Sequence, residues 1–167
     1  MDLMDFEGEQ LYFEEYLPPE VEALLQRSGE LYGDGEAEPP LLEAARLAPE
    51  SLNVLVAMYR YYYYQHRLED ALTIARLALS VTGRRLDLPL DWNLLTVGQI
   101  GQTGPADMAL VRFHLLSLKA LAYLQLRLGQ PAEGRAILEK LLELDSHNRL
   151  GAKQLLEVVE IVAAETE

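Results

Sequence analysis

Apolar residues recur along most of the chain at spacings of three and four positions, which is the periodicity of an amphipathic helix. These stretches are rich in Leu, Ala, Glu and Arg, all good helix formers. Short breaks with Gly, Pro, Asn or Asp separate them, and no hairpin signal lies between alternating strands. The pattern predicts an all-α protein with antiparallel neighbouring helices, at about 20–30, 38–48, 52–65, 68–82, 106–128, 131–144 and 149–164.

The sequence also contains an internal repeat. Ala37 and Ala71 are 34 residues apart, and so are Ala44 and Ala78. A third unit aligns around Gly134 after an additional 29 residues. A helix–turn–helix period of this length, in which small residues close the helix pair, resembles the tetratricopeptide repeat (TPR). On that pattern the repeat units cover residues 18–51, 52–82 and 115–148, with an insertion at about 84–111.

The second and third units carry the resemblance most clearly. In the second unit, one stripe of the first helix faces its partner helix through Leu55, Met58, Tyr59 and Tyr62. The third unit ends at Leu144 to Asn148, which is close to the usual repeat terminus. The resemblance implies one domain over 18–167, built as a right-handed superhelical solenoid of antiparallel helix pairs. A polar-faced helix at 149–164 would cap it.

Charge divides the chain into two parts. It holds 27 acidic and 14 basic residues, which gives a formal net charge of -13. Residues 1–38 contain twelve of the acids and a single base, Arg27, so residues 39–167 are almost neutral. An acidic protein is a poor partner for nucleic acid or anionic lipid, and we therefore expect neither.

The chain has no cysteine, which excludes disulfides and thiolate metal sites. No run of apolar residues approaches the roughly 18–20 that span a bilayer, so we expect no membrane association. The acidic start matches neither a secretory signal nor a transit peptide. A cytoplasmic protein is the expectation.

We find no motif for catalysis or metal binding. The three histidines lie in different units, and neither His-Glu-x-x-His nor Gly-x-Ser-x-Gly occurs. Gly98, Gly101 and Gly104 superficially resemble a phosphate-binding loop, but no Lys-Ser/Thr follows them and no strand precedes them. We expect a non-enzymatic protein without metal or cofactor.

The densest feature is the tyrosine-rich run from Tyr59 to Arg67. Tyr59 and Tyr62 point into the helix pair by their spacing. A second stripe, offset from the first, lines the concave groove if the TPR resemblance holds, and consists of Asn53, Val56, Arg60, Tyr63 and Tyr64. Such a stripe gives an aromatic floor for a peptide. The alternative is that these tyrosines pack between repeats.

The third unit adds Lys119, Tyr123 and Arg127 to the equivalent face, and Arg112 and His114 lie just before this unit. With Arg60, these residues would form a basic and aromatic groove for an extended peptide or a helix of a partner protein. Some TPR proteins clamp a C-terminal carboxylate with Lys, Asn and Arg, but Ala57 and Ala120 stand where the asparagines are often found. The alternative is ordinary solvated or ion-paired side chains.

The predicted function is therefore an adaptor or scaffold that binds a protein or peptide partner. The alternative is a dedicated bacterial chaperone or assembly factor, because size, acidity and three repeats resemble the small TPR chaperones of secretion systems. The run 59–72 also resembles small repeat proteins carried among bacterial nitrogen-fixation genes. A homodimer is left open, since an end helix or the tyrosine-rich unit is suited to pair two chains.

Two further segments invite hypotheses. The insertion holds the sole Trp. We expect five of its residues to pack on the solenoid, namely Leu88, Leu90, Trp92, Leu94 and Leu95, with Leu90 and Trp92 as a lid over the groove, while 98–104 stays flexible. A hydrophobic filler between units is the alternative.

The acidic–aromatic segment 1–17 is a candidate to dock on the Arg60, Lys119 and Arg127 face, in cis or across a dimer. A disordered tail or a packed first helix is the alternative.

Overall fold

The computed structural model describes residues 15–165, and all regular structure in this range is helical, which confirms the all-α prediction. Three short 3-10 turns lie between the helices, at Tyr32–Asp34, Trp92–Leu94 and Pro105–Asp107. The α-helices are α1 (Pro19–Glu30), α2 (Glu38–Leu47), α3 (Leu52–Tyr64), α4 (Leu68–Arg85), α5 (Val97–Gly101), α6 (Met108–Arg127), α7 (Pro131–Leu144) and α8 (Ala152–Glu165).

The predicted helices and the observed ones agree to within three residues at every end. The prediction for 131–144 coincides with α7, while α4 continues three residues beyond its predicted end and α8 begins three residues late. Local signals explain several of these ends. The Ser51 side chain accepts a hydrogen bond from the backbone N–H of Val54 and caps α3. Proline occupies the first position of α1 and α7, where no N–H is needed.

Short turns bring consecutive helices together. Helix α1 packs on α2, α2 on α3 and α3 on α4. After the insertion, α6 packs against α4, α7 against α6 and α8 against α7. The turn from α6 to α7 passes through Gly129, whose φ of 78° lies in the left-handed region that glycine adopts at little cost.

Within residues 15–165, two hydrophobic clusters form the core, and α6 contributes to both. The first gathers α2, α3 and α4, and α6 adds Phe113 and Leu116 to it. The second lies between α6 and α7, where Leu118 and Leu121 meet Leu138. Tyr59 and Tyr62 are buried in the first cluster, as their helical spacing predicts.

Helices α6 and α7 approach closely at Gly134. A Cβ atom on this residue would lie 2.6 Å from Cδ2 of Leu126 and 3.0 Å from the carbonyl oxygen of Ala122. Only glycine fits there without movement of a neighbour. The small residues Ala71, Ala75 and Ala78 are likewise buried on α4, within the first cluster.

The insertion is more ordered than its sequence predicts. Leu88 and Leu95 are buried and Trp92 packs against the second cluster, but Leu90 and Leu94 are 68% and 62% exposed. The expectation that all five pack on the body is therefore wrong for Leu90 and Leu94. Part of 98–104, expected to be flexible, lies in α5, which begins with a capping box between Thr96 and Gln99.

In the part of the chain that the structure describes, one stretch, Pro105–Arg127, is long and apolar enough to cross a membrane by length and composition. The expectation that no such stretch exists is therefore wrong. Its most apolar part is, however, 67% buried inside the protein. This burial is what a core helix requires, and α6 indeed supplies both hydrophobic clusters.

Candidate functional site

A cavity of about 640 Å³ opens between α1 and the C-terminal half of α3. Arg60 and Tyr64, two of the residues that the sequence singles out, form part of its wall. The complete lining consists of Leu25, Ser28, Gly29, Tyr32, Leu41, Ala57, Arg60, Tyr61, Tyr64 and Gln65.

The periodicity of α3 explains why these side chains reach the cavity. Ala57, Arg60 and Tyr64 follow Asn53 at spacings of four, seven and eleven residues, so all four share one face of the helix. The core takes the other faces through Leu55, Met58, Tyr59 and Tyr62, among others. The helix therefore presents one chemically mixed face, with a cation and an aromatic ring, outside the core.

Tyr63 extends this surface from α3 to α6. Its ring meets the Tyr64 ring edge-on at a centroid distance of 5.5 Å and stacks on Tyr59 at 6.0 Å. The Tyr123 ring on α6 lies 6.4 Å from Tyr63 at an angle of 44°. Arg127 donates from Nη1 to the Tyr123 hydroxyl at 3.0 Å. We call Arg60, Tyr63, Tyr64, Tyr123 and Arg127 together the aromatic face.

Electrostatics on the aromatic face favour a fixed positive charge at Arg127. Burial raises the pKa of Tyr123, but hydrogen bonds with Tyr63 and Arg127 lower it, and the pKa falls below its usual value. The hydrogen bond to Tyr123 raises the pKa of Arg127. The guanidinium and the phenol are thus held together as a polar edge beside the tyrosine rings.

The remaining predicted residues lie outside the aromatic face. Asn53 donates to the Glu15 carboxylate, and Val56 is half-buried against the first cluster. Arg112 is exposed on α6. Lys119 is half-buried and places its Nζ 3.5 Å from the position that a Cβ on Gly151 would take, near the start of α8.

His114 does not contribute to a basic groove, contrary to the sequence-based expectation. It is 3% exposed, and its Nδ1 lies 2.6 Å from the Thr82 hydroxyl oxygen between α4 and α6. Burial lowers its pKa to about 4, so the ring is neutral at pH 7. Its neighbours Phe113 and Leu115 are buried too, because α6 is enclosed on nearly all sides.

The two residues predicted as a lid lie in different surroundings. Trp92 belongs to a 3-10 turn that contacts α7 and packs with the second cluster, which favours the filler alternative for this residue. Leu90 is exposed, near Gly83 at the end of α4. A lid role for this pair stays a prediction.

Sequence reasoning missed the wall that α1 and the following turn supply. Leu25, Ser28 and Tyr32 lie three and four residues apart, which is the helical spacing that was used for α3. Ser28 donates to the carbonyl oxygen of Ala37 at 2.9 Å, and Tyr32 meets Tyr61 edge-on at 6.0 Å. The same spacing test on α1 was the available signal.

Among residues 15–165, no group of three or more His, Cys, Asp or Glu side chains is arranged to hold a metal ion. No family model and no solved structure matches the chain. It is similar to the uncharacterized 19.8 kDa protein in the nifW 5′ region of Azotobacter chroococcum mcd 1. The two are 50% identical over 165 residues, which cover 99% of this chain and 92% of that protein.

Proposed function

Since the chain belongs to the family of the 19.8 kDa protein from the nifW 5′ region of Azotobacter chroococcum mcd 1, we propose that it is a cytoplasmic, non-enzymatic protein-recognition module of bacteria. Its helix pairs form a TPR-like solenoid with α8 as the cap. It acts as an adaptor or scaffold, and a peptide or helix of a partner protein binds along the cavity and the aromatic face.

The observation that carries this proposal is the continuity between the cavity and the aromatic face. Tyr64 lines the cavity and contacts Tyr63, and Tyr63 in turn contacts Tyr123 on α6. Tyrosine and arginine are enriched among the residues that dominate binding energy at protein interfaces. Arg60 and Arg127 offer donors for carboxylates or carbonyls of the partner, and the cavity admits an apolar side chain.

The proposal of a solenoid is supported by the 34-residue period and by the packing of small residues. Ala71, Ala75 and Ala78, which follow this period, are buried on α4 in the first cluster, and Gly134 lies where α7 meets α6. Consecutive helices also pack in chain order, as stacked helix pairs require. Both features support the TPR-like arrangement.

The test compares partner capture by two double variants of the intact chain. Arg60→Ala with Tyr64→Ala changes two exposed residues of the cavity wall. Arg76→Ala with Leu77→Ala is the matched control, since it removes an arginine and an apolar side chain that are exposed on α4 and absent from that wall.

Proteins captured by the wild type from native cells are identified by mass spectrometry, purified and titrated directly. We expect the cavity variant to bind at least tenfold more weakly and the control to bind normally, with both melting curves close to that of the wild type. Equal affinities for the cavity variant and the wild type would refute the proposal.

A dedicated chaperone or assembly factor is the second candidate. The position of the relative in the nifW 5′ region is compatible with a role related to nitrogen fixation. The two candidates differ in what happens to the partner. In a strain that lacks this protein, a chaperone's partner becomes insoluble or is degraded, whereas an adaptor's partner remains soluble. Fractionation and immunoblotting of that strain distinguish them.

A further inference from the structure

The carboxylate of Glu15 is fixed at the beginning of α3. It accepts hydrogen bonds from the Ser51 hydroxyl at 2.8 Å, from the backbone N–H groups of Leu52 and Asn53, and from the Asn53 amide at 2.8 Å. Arg85 lies 3.5 Å away, and the Glu15 side chain is only 15% exposed. Burial raises its pKa, but these hydrogen bonds outweigh burial and lower it, so Glu15 is ionised at pH 7.

This attachment point lies on the face of α3 that leads to the cavity. Asn53, which holds Glu15, shares that face with Ala57, Arg60 and Tyr64. At 1.5 Å per residue, the axial distance from Asn53 to Tyr64 is about 16 Å. Leu17 also packs against the first hydrophobic cluster, so the chain is held on both sides of Tyr16.

Residues 1–14 precede this attachment point and lie outside the described residues. Their sequence contains five acidic residues and no Lys or Arg. It also contains large apolar and aromatic residues, namely Leu3, Phe6, Leu11, Tyr12 and Phe13. Fully extended, fourteen residues reach up to roughly 46 Å, about three times the distance along α3 to Tyr64. Length therefore places no obstacle between this segment and the cavity.

We infer that residues 1–14 bind in cis to the cavity and the aromatic face, and that the chain thereby competes with its partner for this surface. The carboxylates pair with Arg60 and Arg127, and the aromatic side chains enter the cavity. The inference uses the groove of the proposed function but specifies a different occupant. The sequence-based hypothesis docks residues 1–17 on the Arg60, Lys119 and Arg127 face. The inference is limited to residues 1–14, because Glu15 contacts the start of α3 instead of that face.

Because Glu15 and Leu17 hold the chain close to the groove, even a weak contact is sufficient to keep residues 1–14 bound there most of the time. A short tether holds the segment at an effective concentration on the order of millimolar. If that concentration is about 3 mM, a segment that binds with a Kd of about 0.3 mM in trans occupies the groove about nine-tenths of the time in cis. A competitor would then bind the wild type about tenfold more weakly than a variant with a disabled segment.

The experiment measures the binding of a fluorescent peptide with the sequence of residues 1–14 to the intact protein. The wild type is compared with a full-length variant in which Phe6→Ala, Tyr12→Ala and Phe13→Ala disable the segment. A second variant adds Arg60→Ala and Tyr64→Ala to these changes, and a third adds Arg76→Ala and Leu77→Ala as its matched control. A peptide of scrambled order tests specificity, and circular dichroism verifies that each variant is folded.

We expect the segment variant to bind the peptide about tenfold more tightly than the wild type does. The added cavity changes should abolish this binding, the control changes should leave it intact, and raising the salt to about 0.5 M should weaken it. Equal binding to the wild type and the segment variant would overturn the inference, as would failure to bind below about 1 mM. A wild-type dimer that becomes monomeric in the segment variant would overturn it as well, since the occupant would then be a second copy.

These outcomes are separable from the proposed function. If the peptide does not bind but the Arg60 and Tyr64 changes still weaken partner binding, only the cis contact is refuted. If the peptide results hold but those changes leave partner binding unaffected, the cis contact stands, and the proposed function is refuted together with the competition for this surface.

Discussion

The hydroxyl oxygen of Thr82 on α4 lies 2.6 Å from Nδ1 of His114 on α6, within the buried contact between the two helices. Thr82 donates its single hydroxyl hydrogen to the carbonyl oxygen of Ala78 at 2.8 Å. A Thr82 hydroxyl that donates to Ala78 accepts from Nδ1 of His114, and in that tautomer Nδ1 carries the ring hydrogen. The contact between Thr82 and His114 joins α4 to α6 through a neutral imidazole.

This pair predicts acid sensitivity between about pH 6.5 and pH 4. The folded pKa of His114 is about 4, whereas the ordinary value is 6.5. Above pH 6.5 the imidazole is neutral in both states, and below it only the unfolded chain takes up the proton. The free energy of unfolding should therefore fall by about 2 kcal/mol between pH 7 and pH 5 through this residue alone. Denaturant titrations at both pH values measure the loss.

Two variants separate the contribution of His114 to the pH dependence of stability from that of the carboxylates, which also titrate under acidic conditions. His114→Gln should remove most of the loss between pH 7 and pH 5, whatever its effect on stability at pH 7. His147→Gln, at an exposed position, should keep the pH dependence of the wild type. An unchanged pH dependence in His114→Gln would contradict the buried neutral state.

A second prediction concerns the close approach of α6 and α7. Gly134→Ala should lower the free energy of unfolding by about 1–3 kcal/mol, because the new methyl group overlaps the Leu126 side chain and the Ala122 carbonyl. Alanine favours helices by about 1 kcal/mol over glycine, which opposes this loss. Chemical denaturation measures the sum.

Gly29→Ala is the matched control, because Gly29 lies in a helix and has no atom within 4 Å of the added Cβ position. It should leave stability unchanged or raise it by up to about 1 kcal/mol. If both substitutions had the same effect, helix propensity rather than close packing would account for Gly134.

The helices were predictable because their apolar residues recur at helical spacing and because capping and turn residues mark their ends. The helix predicted at 131–144 coincides with α7, which follows the left-handed Gly129 and begins at Pro131. Within α3, spacing alone separated the buried Tyr59 and Tyr62 from Arg60 and the exposed Tyr64. These are local properties, which a sequence contains in full.

The features that depend on distant contacts were not predictable. The environment of His114 depends on Thr82, 32 residues earlier, and α6 is apolar on too many faces for periodicity to reveal which polar residue is enclosed. The contact of Glu15 with Asn53 spans 38 residues and has no local signal. The exposure of Leu90 depends on how the insertion leaves the end of α4, near Gly83, and apolar composition does not determine that.

A third prediction tests the attachment of Glu15. Glu15→Ala removes the acceptor for the N–H groups of Leu52 and Asn53 and should destabilise the protein by about 1–2 kcal/mol, as the loss of a helix cap does. Glu20→Ala, at an exposed position in the first turn of α1, should change stability by less than about 0.5 kcal/mol. Thermal unfolding monitored by circular dichroism compares the two, and similar melting temperatures would contradict the structural role of Glu15.

The last prediction tests whether Tyr63 and Tyr123 stabilise the contact between α3 and α6. Aromatic pairs at such distances contribute about 0.5–1.5 kcal/mol beyond their buried area, so a double-mutant cycle of Tyr63→Leu and Tyr123→Leu should give a coupling energy in that range. Tyr16, which is 83% exposed, supplies the control cycle with Tyr123, and its coupling should be close to zero. Leucine keeps apolar volume at each site but has no hydroxyl, so the difference between the cycles reports the ring contact together with the hydrogen bond between Tyr63 and Tyr123. Equal coupling energies in both cycles would mean that the two tyrosines are neighbours without interacting, and that the aromatic face is not held together by this pair.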